Sequence, residues 1–189
     1  MGRAGQVELP DNFYEKIKPR LHRRVGRELR LAARVLDLGC GSCDLARYLA
    51  ETYGQRVTGV DISQDSLPRK RTGSRGGRVR CIRRDAAHLD FVAGRSVDAV
   101  VMMWAMHEME KAQEIVREVR RVLRPGGEFL IVDFPRGSLA QKLWNEDYYR
   151  PQEIRRLLEE NEFEDVRVQL IHRKQVIWAR GHQPPAPGT

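Results

Sequence analysis

Gly39 and Gly41 stand in the run Asp37-Leu38-Gly39-Cys40-Gly41-Ser42-Cys43-Asp44, between an apolar segment and a helical pattern that begins near Leu45. Glycines there permit a tight turn and let backbone N–H groups meet a ligand with no Cβ in the way, and the helix N-terminus that follows favours negative charge. An ordinary strand-to-helix turn has the same composition. The second element is Val60-Asp61-Ile62, roughly twenty residues on, where an acid at a strand end can accept hydrogen bonds from two vicinal ribose hydroxyls. The position three after Gly41 is Asp44, so a pyrophosphate would lose the usual third glycine and meet a negative charge. A dinucleotide is therefore disfavoured.

His107, with Glu108 beside it, is the side chain best suited to take a proton near neutral pH. The same position also suits a residue that only shapes a pocket or caps a helix. Cys40 and Cys43 have C-x-x-C spacing, but no second pair of cysteines or histidines at ligand spacing accompanies them, and no metal site is predicted. A thiol at a helix N-terminus is expected to have a lowered pKa. With Cys81 the cysteines form an odd set of three, which argues against a disulfide framework. No apolar signal-peptide core or membrane-length apolar run is visible, so the expectation is a soluble chain in a reducing cytoplasm.

These groups need a scaffold, and the 189 residues suit one domain over 11–180, with loose ends at 1–10 and 181–189. Phe13, Ile17, Leu21, Val25 and Leu29 recur every four positions, predicting one or two amphipathic helices over 11–33 that Pro19 interrupts or restarts. Short apolar runs then alternate with helical stretches: 35–38, 56–60, 79–82, 97–103 and 129–134 as strands, with Leu45–Tyr53 and Ala112–Leu123 as helices. That alternation predicts an α/β fold with a parallel sheet covered on both faces. A helix after Pro151 and an antiparallel hairpin over 166–171 and 175–179 close the chain.

The motif Asp37-x-Gly39-x-Gly41, followed by Asp61-Ile62, Arg84-Asp85-Ala86, Met103-Trp104-Ala105-Met106-His107 and Leu123-Arg124-Pro125-Gly126-Gly127, resembles the class I S-adenosylmethionine-dependent methyltransferases. The resemblance implies a Rossmann-like, doubly wound, mostly parallel sheet in three α/β/α layers. It also implies that Asp37, Gly39, Cys40 and Gly41 line the cofactor site, that Asp61 holds the ribose and that Ile62 packs on the adenine. Asp85, with Ala86, would meet the adenine amino group, and Met103 would face the methyl end. One departure is Cys43, where many members place a third glycine.

Methyl transfer is an in-line displacement that needs a base only when the acceptor must lose a proton, and His107 is the candidate. Trp104, Trp144 and Tyr148 are candidate acceptor contacts, as is Tyr14, placed as a lid on the N-terminal helix. Met102, Met103 and Met106 fit a pocket wall or plain core equally, and the alternative role of Trp144, Tyr148 and Tyr149 is to staple the last helix to the sheet. The net charge of +8 concentrates partly at Arg69-Lys70-Arg71, Arg75, Arg78, Arg80, Arg83 and Arg84, a solvated loop or a dock for a phosphate-rich partner. The short segment between fifth strand and last helix favours a small-molecule acceptor. An RNA or protein methyltransferase using the basic face, and a non-catalytic scaffold retaining the cofactor fold, are the competing readings. Oligomeric state is not encoded in the pattern.

Overall fold

The computed structural model describes residues 9–68 and 77–186. The far termini and the cations Arg69, Lys70, Arg71 and Arg75 lie outside the described residues. In chain order the elements are α1 (Phe13–Glu28), β1 (Arg34–Leu38), α2 (Asp44–Tyr53), β2 (Arg56–Asp61), β3 (Val79–Arg83), β4 (Val97–Met103), a 3₁₀ turn (Met106–Glu108) and α3 (Ala112–Val122). They continue with β5 (Leu123–Asp133), α4 (Leu139–Trp144), α5 (Pro151–Glu160), β6 (Glu164–Ile171) and β7 (Val176–His182). The sheet order is β3-β2-β1-β4-β5-β7-β6. β1 to β5 pair in parallel, and β7 is antiparallel to both β5 and β6.

The period of two along the strands divides the core into two layers. On β5, Phe129 and Ile131 face the cluster built on α3 and α5, whereas Leu130 and Val132 face the one built on α1 and α2. The three-layer α/β/α architecture follows from that alternation. β2 and β3 build outward from β1 on one side and β4 and β5 on the other, so the chain reverses between β1 and β4. The carboxyl ends of those strands form the crevice where ligands bind in such sheets.

Four sequence expectations need correction. Pro19 does not break α1, which runs through it. A helical proline costs about 3 kcal/mol, but Ile17, Leu21 and Val25 are buried on both sides of it, at about 1.5–3 kcal/mol each. Leu123 to Gly127 is not a turn preceding the fifth strand: β5 already pairs at Leu123, and the register with β4 shifts before Glu128, with Gly126 at φ +72° supplying the bulge. β7 continues through Gly181 and His182, which pair with Phe129 and Glu128. Finally, Cys43 and Cys81 form a disulfide. Gly59 of β2 lies in register with Cys81, and a Cβ there would sit 2.8 Å from Cys40 Sγ and 3.0 Å from Cys43 Sγ. The missing side chain on the middle strand leaves the gap in which the sulfurs gather.

Candidate active site

The β1 loop is held against β2 from both ends. Gly39 and Cys40 donate N–H bonds to the Val60 carbonyl at 2.8 and 3.1 Å, and Gly41 donates to Asp61 Oδ2 at 2.8 Å. Asp61 Oδ1 accepts from Ser63 N–H at 2.9 Å. Gly39 takes φ +69° and leaves no room for a Cβ, which would meet Ala105 Cβ at 2.3 Å. Gly41, at φ +47°, faces open space. The loop thus presents backbone, not side chains, to the crevice.

Two hollows meet at Gly39. One, of about 300 Å³, is lined by Val60, Asp61, Ile62, Asp85, Ala86 and Met109 among others. The other, of about 190 Å³, is lined by Asp37, Cys40, Gly41, Met103 and Trp104, with Lys18 and His22 from α1. Every residue expected at the cofactor site therefore lines one hollow or the other. Ile62 is 67% exposed, an apolar surface at the first hollow's edge. Lys18 and His22 were not anticipated. They come from the exposed and half-buried flank of α1, whose apolar stripe is what the sequence pattern reveals.

Asp37 is almost fully buried, and its Oδ2 has no hydrogen-bond partner. Burial first, with the charge of Asp61 adding to it, pushes its pKa up from 3.8 to about 7, against a backbone N–H bond from Ala46. Between those values the folded chain holds a proton that the unfolded chain releases, so ionisation of Asp37 makes stability fall as pH rises through that window. Asp37→Asn is expected to remove this contribution. Thermal melts between about pH 5 and pH 8 should show wild type losing several degrees more than the variant; parallel curves would place Asp37 in a more polar setting. An ammonium group in the hollow would supply the missing partner.

Cys40 departs from expectation. Its thiol pKa is raised, not lowered, first by burial and then by the charges of Asp37 and Asp61 at the ends of β1 and β2.

His107 lies on the 3₁₀ turn after β4, and its expected partner Glu108 is not the one that orients it. The Nδ1 atom is 2.7 Å from Asp133 Oδ1, and the backbone N–H of His107 donates to Asp133 Oδ2 at 2.9 Å. Asp133, the last residue of β5, is buried. Met103 and Val132 pair in register, which brings the two strand ends side by side. With Nδ1–H donated to the carboxylate, Nε2 is the acceptor in the neutral ring and a second donor in the imidazolium, the form that can bond a carboxylate. Burial tends to lower the imidazole pKa, but the Asp133 hydrogen bond and the charges of Asp133, Glu108 and Glu146 outweigh it, and the net shift is upward. Nε2 lies 3.8 Å from Glu108 Oε1 and 3.2 Å from Glu146 Oε2.

Aromatic rings surround this histidine. Tyr148 and Phe134 have ring centroids 4.6 and 5.7 Å from it, and Trp104 stacks on Phe134 at 5.3 Å. Tyr14 touches Trp104, Phe134 and Trp144. It is buried in this wall and lines neither hollow, so it does not cover the cofactor site. Trp104 is held at φ +60°, and its buried indole N–H is unpartnered. Met102 and Met106 belong to the core, whereas Met103 lines the second hollow.

Residues 35–127 match a family described as a methyltransferase domain. The chain belongs to the class I S-adenosylmethionine-dependent methyltransferases. It is 35% identical over 130 residues to the methyltransferase GfsG of Streptomyces halstedii, covering 66% of this chain and 46% of that protein. It is 35% identical over 105 residues to a demethylmenaquinone methyltransferase of Thermus thermophilus, covering 54% and 47%. The chain thus spans about half the length of these curated relatives. The crystal structure of the [4+2]-cyclase SpnF superposes with a TM-score of 0.76 at 19% identity, covering 88% of this chain and 81% of that one. The chain shares the SpnF fold. In the family frame, the unpartnered Asp37 oxygen, the open backbone at Gly41 and the acid at Asp61 fit the ammonium, carboxylate and ribose of S-adenosylmethionine.

Proposed function

We propose that this chain transfers a methyl group from S-adenosylmethionine to a hydroxyl of a small-molecule acceptor. The observation that carries the reading is the His107–Asp133 pair, placed at the strand ends beside the hollow that Met103 and Trp104 line. When bound, the cofactor supplies an electrophilic methyl group. His107 Nε2 takes the acceptor's proton, and Asp133 fixes the tautomer and stabilises the imidazolium that results. The rings of Trp104, Phe134 and Tyr148 keep water away from that exchange.

A small acceptor is supported by the relative named for demethylmenaquinone. Electrostatics disfavour the RNA reading: Asp61, Asp85, Glu108 and Glu110 line the larger hollow against Arg84 and Lys111. Four of the eight cations on which that reading rests, Arg69, Lys70, Arg71 and Arg75, lie outside the described residues. Among those residues, no helix is long and apolar enough to cross a membrane.

The test is calorimetric titration with S-adenosylmethionine and S-adenosylhomocysteine, followed by transfer of an isotopically labelled methyl group to a panel of small hydroxylated compounds. Binding of both ligands with labelled product is the expected result. Binding without transfer to any acceptor would favour a role that uses the cofactor fold without methylation.

A further inference from the structure

The base assigned above is not open to an acceptor. The His107 side chain is 4% exposed, and its Nε2 faces the Glu146 carboxylate at 3.2 Å. Glu146 in turn accepts a hydrogen bond from Tyr148 Oη at 2.9 Å. A carboxylate oxygen at hydrogen-bond distance from Nε2 stands where the acceptor's own oxygen must stand to surrender its proton.

Glu146 sits on a loop with clipped ends. Arg136 donates its backbone N–H to the Tyr149 carbonyl at 3.0 Å and its Nε–H to the Tyr148 carbonyl at 2.9 Å. The near half of the loop is anchored to the body: Leu139 N–H donates to Gln175 Oε1 at 2.7 Å, and Ala140 N–H to Tyr14 Oη at 2.9 Å. The far half differs. Leu143 is 36% and Trp144 is 47% exposed, and Asn145 ends α4 in the left-handed region at φ +53°. Among the described residues, the far half meets the body through Glu146 on His107 and through Trp144 against Phe134 and Tyr14. Displacement of Trp144 to Asp147 would uncover the base without breaking the clips or the anchors.

We infer that residues 143–147 form a gate latched by Glu146 on His107, which opens to an uncharged hydroxylated ring compound and discriminates against an anionic one. This rests on His107 acting as the base of the proposed function. The aromatic wall of Trp104 and Phe134, which Trp144 covers in the latched state, offers flat apolar surface to a ring. The carboxylate of Glu108 flanks the position its hydroxyl must reach, and that of Glu146 lines the entrance the acceptor must pass, so a negatively charged acceptor would meet both at close range.

The experiment compares two probes that share a ring and a hydroxyl, 2-naphthol and 6-hydroxy-2-naphthoate, binding by calorimetry to the full chain saturated with S-adenosylhomocysteine. Wild type is expected to bind the uncharged probe at least about tenfold more tightly. Glu146→Gln, which keeps the size and removes the charge, should bring the two within about threefold by strengthening the anion. Glu146→Ala, which removes the latch, should speed association of 2-naphthol in stopped flow. Equal affinities in wild type, an unchanged preference in Glu146→Gln with unaltered melting, or no binding of either probe overturns the gate and leaves the proposed function standing. Failure of S-adenosylhomocysteine itself to bind overturns the proposed function and this inference with it.

Discussion

His107→Gln is expected to lower the rate of methyl transfer by roughly 10²- to 10⁴-fold, the range a positioned general base contributes, while cofactor affinity stays within about twofold. The asymmetry follows from position: His107 lines neither of the hollows that meet at Gly39, so its loss should spare cofactor binding. The pH profile gives an independent reading. The neutral imidazole is the active form, and His107's raised pKa puts the acidic limb of the profile above that of an ordinary histidine. The groups that raise it are Asp133 on β5, Glu108 on the same 3₁₀ turn and Glu146 on the loop after α4. Asp133→Asn removes the largest of these supports, while burial continues to disfavour the imidazolium. The limb should therefore move to lower pH even as the plateau rate falls. A limb that does not move in Asp133→Asn, or wild-type turnover in His107→Gln, would assign the proton to another group.

The partner that would make His107 a base is hidden in the sequence by the same pattern that exposes the fold. Asp133 closes the apolar run FLIVDF, where a strand reading absorbs it. Its signal is an acid at the carboxyl end of a strand that is otherwise buried. Glu108 was the nearer choice along the chain, yet its side chain is 67% exposed, whereas the acid 26 residues on reaches Nδ1 through the pairing of β4 with β5. Periodicity reports which face of an element is apolar, and so it reveals the sheet, the helices α1, α2, α3 and α5 and both layers of core. It does not report what two strand ends bring together. The Cys43–Cys81 disulfide escaped for a related reason, since it joins the β1–α2 turn to β3 across Gly59, which pairs with Cys81 and leaves room for Cys43 Sγ. The glycine turn and Asp61 are readable as neighbours on one crevice because backbone geometry and spacing along the chain mark them. Glu146 had no such spacing, and the α4 loop that carries it is too short to show a period.

Asp61→Ala tests the other half of the site and is expected to weaken S-adenosylmethionine binding by about 10²- to 10⁴-fold. Two hydrogen bonds from ribose hydroxyls to a carboxylate, at about 1.5–3 kcal/mol each, give that range. The carboxylate also accepts from Gly41 and Ser63, so its removal frees the β1 loop as well as the ribose contact. Asp61→Asn separates the two effects. Its amide oxygen retains one acceptor, enough to hold either the Gly41 or the Ser63 N–H, but its NH₂ cannot accept from the second hydroxyl. The asparagine variant should thus melt closer to wild type than the alanine variant does, while retaining most of the affinity loss. Asp85→Asn provides the contrast. That carboxylate is occupied by the Ala87 N–H and His88, and a single contact to the base should cost about tenfold. Calorimetry on the three variants orders them Asp61→Ala, Asp61→Asn and Asp85→Asn from weakest to tightest. Near-wild-type affinity in Asp61→Ala would mean that the ribose is not held at the end of β2, and the cofactor would then have to be placed elsewhere along the crevice.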